Sequence, residues 1–117
     1  MATGDAVIIQ CQRELTAANT PSDIQSASNH DAGYGITAGA VDISATNNGN
    51  WTQSYLVWLR PAGATAANKM LFRGTIPPLK TVSVARRVPV AASDIVTAQI
   101  GAAGSVTFQV LGDGESA

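Results

Sequence analysis

The sequence has little charge. Seven Lys and Arg face eight Asp and Glu, 13% of the chain in all, about half the usual share. With a net charge of -1, the chain lacks the basic footprint by which proteins hold nucleic acid through its phosphates, so no nucleic-acid partner is expected. Cys11 is the only cysteine, which excludes an internal disulfide. His30 is the only histidine, and the carboxylates are scattered along the chain. Metal ligands come in groups at defined spacing, so neither a metal nor a cofactor is expected. No apolar run approaches the ~20 residues of a membrane helix, and Met1 to Asp5 do not lead a basic segment into an apolar one. No membrane partner and no cleaved secretion signal are expected. Helix-period segments are missing too.

What is present is alternation. Val7, Ile9, Cys11, Arg13 and Leu15 alternate with Ile8, Gln10, Gln12 and Glu14, the period of a strand with one buried face. From Ile36 to Ala45 the pattern repeats, Gly39, Val41, Ile43 and Ala45 alternating with Ala40, Asp42 and Ser44, then Asn48-Gly49 offers the positive φ angles of a type I′ hairpin turn. Residues 51–60 form a strand carrying Trp51, Tyr55 and Trp58, and further strands are expected over 68–74 and 79–87. Pro89, unable to donate to a ladder, marks an edge or a crossing point between sheets. A last hairpin is expected from residues 94–100 and 105–111 around Gly101 to Gly104. These 117 residues are long enough for one self-sufficient core. The reading is an all-β, single antiparallel β-sandwich of about eight short strands, Ig-like or jelly-roll-like, spanning 1–117. An arm at 1–5, a long loop at 16–35 and a frayed tail at 112–117 complete it.

Little in the chain points to catalysis. His30, Ser28 and Asp31 invite a nucleophile-and-base reading, but they share one polar loop, whereas triad members are held rigid on separate elements. Gly33, Gly35 and Gly39 have the wrong spacing for a dinucleotide fingerprint and lead into a strand. The Asn50-Trp51-Thr52 sequon reads as turn chemistry. Cys11 falls in the apolar phase and is expected in the core. The candidate residues belong to a protein interface. Tyr55 and Trp58 differ in parity, so one must face away from the core. If this chain does not cover that face, something else does, which makes Trp51 and Trp58 the candidate aromatics of an interface, and Arg86 with Arg87 could pair with acids on a neighbouring subunit. Ile24 and Tyr34 are the large apolar residues of a loop expected, with residues 1–5, to order on contact with another subunit.

From about Gly35 to Glu115 the order of elements resembles small virion structural proteins of tailed bacteriophages. It runs from Val41, Asp42, Ile43 and Ser44 through the turn at Asn47 to Asn50. Leu56 to Gly63, Ala67 to Leu71 and Thr81 to Val84 follow, then Val90 to Ala98, Ser105 to Thr107, and the closing Gly112 and Glu115. Ser93, Arg86 and Arg87 depart from that pattern. The resemblance implies a β-sandwich without enzymatic activity, located in the virion after synthesis in the host bacterial cytoplasm. Its expected role is capsid decoration or cement on the lattice of the major capsid protein, as a homo-oligomer with a trimer as the candidate size. A tail, collar or fibre component is the alternative within that class. A carbohydrate-binding module using Trp51 and Trp58, and more remotely a hydrolase, stand outside it.

Overall fold

A computed structural model describes residues 6–25, 36–60, 70–91 and 94–116. Eight strands follow one another: β1 (Ala6–Leu15), β2 (Ser22–Gln25), β3 (Ile36–Asn47), β4 (Gln53–Arg60), β5 (Met70–Ile76), β6 (Thr81–Ala91), β7 (Ile95–Ile100) and β8 (Val106–Ser116). They form two four-stranded sheets, ordered β1-β8-β3-β6 and β2-β7-β4-β5, and every strand pair is antiparallel. The all-β sandwich read from the alternation is the observed architecture. Of its two variants this is the jelly roll, in which nearly every connection changes sheet. Only the step from β4 to β5 stays within one sheet.

The alternation places the core. Ile9, Cys11 and Leu15 of β1 face inward with Val41, Ile43 and Ala45 of β3 and Val106, Phe108 and Val110 of β8. From the second sheet Tyr55, Val57 and Leu59 meet them, with Val96, Ala98 and Ile100 of β7. The Phe108 and Tyr55 rings bridge the sheets edge to face, centroids 6.5 Å apart at 70°, a preferred aromatic geometry.

Several expectations about the chain path are corrected. Asn48-Gly49 does not turn a hairpin, because β3 and β4 belong to different sheets. The connection is an arch held by buried Asn47. Its Nδ2 donates to the carbonyls of Trp51 (2.7 Å) and Ile76 (3.0 Å), and its Oδ1 accepts from Gly49 N (2.9 Å). The expected 94–111 hairpin is likewise a crossing from β7 to β8, pinned where Gly101 N donates to Ser54 O and Gly104 N to Thr16 O, both at 3.1 Å.

The loop placed at 16–35 contains β2, whose Ile24 is buried. The tail expected to fray from 112 continues β8 to Ser116, paired with β1 on one side and β3 on the other. Backbone bonding to two neighbours holds a glycine-rich segment that has little apolar content of its own. The arm at 1–5 lies outside the described residues. Pro89 does sit on an edge, in the outermost strand of its sheet, where a missing donor costs no ladder bond.

Candidate functional site

The outward faces of the two sheets differ in chemistry. On the first sheet, register aligns four rows across β1, β8, β3 and β6. Glu14, Thr107, Thr46 and Thr81 form one row, and Gln12, Gln109, Ser44 and Ser83 the next. This half is a polar lattice. Thr46 and Thr81 share a hydrogen bond of 2.7 Å, Asn48 Nδ2 donates to both Ser105 Oγ and Thr107 Oγ1 at 3.1 Å, and Ser105 Oγ donates to Glu14.

The other half of that face interleaves exposed apolar side chains with polar and charged ones. Ile8, Asp113, Ala40 and Pro89 form a row, and Leu111 stands diagonal to Ile8 from the adjoining row with Gln10 and Asp42. Cross-strand diagonal neighbours are within reach of each other. Ile8 is 61% exposed and Leu111 44%. Arg86 and Arg87 border this patch at an irregularity of the β3–β6 register. Both are exposed, so the expectation that at least one points outward holds for each. Arg87 has a φ of 52° and its backbone N donates to Asp42 Oδ1 at 2.8 Å. A left-handed residue beside a register shift is the signature of a β-bulge, which blunts β6 as a pairing edge.

The second sheet carries a polar clasp on its outer face. Asp23 Oδ1 accepts from Thr97 Oγ1 (2.8 Å) and from Arg60 Nη2 (3.3 Å), and Arg60 Nε donates to Thr97 Oγ1 at 3.1 Å. Arg13 Nη1 donates to Asp23 O at 3.0 Å. Four-residue β2 is thus tied by side chains of β1, β4 and β7. Nothing in its apolar pattern announces it as a strand.

The proposed interface residues divide. Trp51 is exposed, in the arch after β3. Ile24 is 2% exposed and packs in the core, which removes it from any docking surface. Trp58 does face away from the core-directed Tyr55, as parity requires, yet it is 9% exposed. This chain covers it, so it offers no open aromatic surface, and Trp51 and Trp58 do not make a shared sugar-stacking platform. Tyr34, His30, Ser28 and Asp31 lie outside the described residues. Cys11 is buried, as its phase implies. Among the described residues no group of three or more His, Cys, Asp or Glu is placed to hold a metal ion. The exposed Ile8–Leu111 pair went unnoticed in the sequence, although Ile8 stands in the polar phase of β1, where an apolar residue is out of place.

No family model matches the chain, and a comparison with curated proteins finds no relative in sequence. Similarity appears in three dimensions. A chain of the disulfide-linked pili that form Bacillus endospore appendages is similar over 100% of this chain and 96% of its own, at 18% identity and a TM-score of 0.52. PirA is similar over 96% of this chain and 94% of its own, at 11% identity and a TM-score of 0.40. The likeness to the appendage chain is a likeness of fold.

Proposed function

We propose that this protein is a non-enzymatic structural subunit that works by repeated association, with copies of itself and with a larger assembly. The observation that carries the reading is the exposed pair Ile8 and Leu111, diagonal neighbours on an outer sheet face, with Ala40 and Pro89 further along the row of Ile8. Large apolar side chains brought together on an exposed face mark association surfaces, and the low charge of the chain as a whole, 13%, suits a protein that buries surface against neighbours. Asp113, between Ile8 and Ala40, and Asp42, beside Leu111, set carboxylates among these side chains, and Arg86 with Arg87 lies on the edge strand at their margin. The fold shared with a pilus subunit supports the same class.

Within that class the assembly is a bacteriophage virion, with the protein as capsid decoration or cement on the major capsid protein. The order of elements from Gly35 to Glu115 motivates this placement, and repetition on a symmetric lattice lets many modest contacts add up. A filament subunit is the second reading, favoured by the appendage likeness. Disulfide linkage does not carry over to this chain, because Cys11 is 1% exposed and a bond through it would require opening the core. Light scattering across a concentration series, paired with Ile8→Asp, tests association. The wild type is expected to oligomerise and the variant to remain monomeric while folded. A wild type that stays monomeric at every concentration and is absent from purified particles by mass spectrometry would overturn the proposal. Cryo-electron microscopy of particles or of purified protein separates capsid from filament.

A further inference from the structure

A sheet edge that nothing blunts is a template for another strand, and the outermost strands of the two sheets, β1, β6, β2 and β5, differ in this respect. β6 carries Pro89 and the bulge beside Arg87. β2 is four residues long, with a register irregularity between Asp23 and Gln25. β5 has the exposed Arg73 at its centre, followed by Gly74. Over residues 6–12, β1 has none of these devices: the run contains no charged residue, proline or glycine. Its pairing with β8 continues without a shift from Ala6 opposite Glu115 to Leu15 opposite Val106, and it pairs with no other described strand. The charged end of β1 is engaged within the chain, where Arg13 Nη1 donates to Asp23 O at 3.0 Å and Glu14 accepts from Ser105 Oγ.

Given the self-association already proposed, we infer that two copies join edge to edge through residues 6–12 of β1, antiparallel about a two-fold axis at Ile9, so that their first sheets become one continuous sheet. A straight, uncharged segment rich in β-branched residues is the kind that pairs between chains, and two identical antiparallel segments close on each other about a two-fold axis. An axis at Ile9 uses the whole uncharged run. Residues of like parity then meet, which keeps inward faces with inward and outward with outward. Ile8, 61% exposed in a polar phase, comes to lie opposite Gln10 of the partner subunit and diagonal to the partner's Ile8, within reach of an apolar neighbour. An axis nearer Arg13 or Glu14 would bring each of these charges against its own copy and compete with the bonds they already make. The far edge of the same sheet is β6, where Pro89 and the bulge stop further pairing, so the product is a closed dimer and not an open ladder.

Amide hydrogen exchange of the full chain, resolved by residue with NMR at low and high concentration, tests this. Every second amide of an edge strand points away from its neighbour in the sheet. Those of residues 6–12 are expected to slow about tenfold where about nine-tenths of the chain is associated, because exchange then runs through the remaining free copies. Gln10 is exposed, and Gln10→Lys places there the charge by which natural edges avoid pairing. It is expected to weaken association about tenfold or more while leaving the unfolding of dilute protein unchanged. Leu111→Lys, one strand in from the edge, is expected to weaken association less. Association that leaves the amides of residues 6–12 unchanged overturns the edge pairing while self-association stands, and its loss in Leu111→Lys but not in Gln10→Lys assigns the docking to the sheet faces. A chain that stays monomeric at every concentration overturns both.

Discussion

Tyr55 lies directly across the β4–β5 pair from Gly74, and its ring fills the space a side chain would take there: a Cβ on Gly74 would stand 2.7 Å from Tyr55 Oη. An aromatic residue packed over a cross-strand glycine is a recognised device for holding register, and here the same ring meets Phe108 of the facing sheet. In an ordinary strand Gly→Ala is favourable, because glycine loses more backbone freedom on folding. At this site the sign reverses. Gly74→Ala is expected to destabilise by about 1–3 kcal/mol, the usual cost of overpacking, as measured by denaturant unfolding. A variant as stable as the wild type would refute the close packing of Tyr55.

The bulge at Arg86 and Arg87 separates two neighbours of the same type. Arg87 has a positive φ, at a cost of roughly 1–2 kcal/mol for a residue with a Cβ, whereas Arg86 has an ordinary backbone. Arg87→Gly is expected to be neutral or stabilising by up to about 1 kcal/mol, the relief being partly offset by a looser unfolded chain. Arg86→Gly is expected to destabilise by about 0.5–1 kcal/mol. Thermal unfolding of the two variants side by side reads the difference, and equal losses would contradict the bulge.

These cases show what a linear pattern conveys. Inward residues of β1, β3 and β8 were legible because each strand's phase is local: Ile9, Cys11 and Leu15, or Val106, Phe108 and Val110, alternate regardless of their partners. Pairing was not legible. Asn48-Gly49 and Gly101 to Gly104 satisfy a hairpin and an arch equally well, and the choice depends on distant partners such as Ile76 O for Asn47. β2 escaped because what holds it, backbone pairing with β7 and the side chains of Arg13, Arg60 and Thr97, lies outside its own segment. Trp58 was misread as open surface because parity shows which way a side chain points and not what lies over it.

Asn47 explains why the β3–β4 arch needs an amide. It is 1% exposed and uses both ends, donating to two carbonyls and accepting from one N–H. Aspartate has the same shape and keeps the acceptor, but it presents an anion to the carbonyls of Trp51 and Ile76. Asn47→Asp is expected to cost about 3 kcal/mol or more, since an unpaired buried charge is added to the lost donors. Burial beside two carbonyls would raise the folded-state pKa of the new carboxyl above its unfolded value. The penalty is therefore full at pH well above that raised pKa, and it shrinks as pH falls and protonation restores one donor. Unfolding of variant and wild type at pH 7 and pH 4 checks this, and a gap that widens on acidification would contradict it.

Cys11 connects the packing to the kind of assembly this chain can build. It lies opposite Val110 in the β1–β8 pair, inward with Ile9 and Leu15, and its thiol is sealed from solvent. Disulfide exchange requires a thiolate that an attacking sulfur can reach, so folded copies are expected to stay unlinked under oxidising conditions. Labelling of Cys11 by a thiol reagent should follow the opening of the sandwich rather than the reagent concentration. Cys11→Ser should lower stability by about 1–3 kcal/mol by placing a hydroxyl in an apolar site, while leaving any oligomer intact. A covalent dimer on a non-reducing gel of native protein, lost in Cys11→Ser, would overturn the non-covalent mode of association.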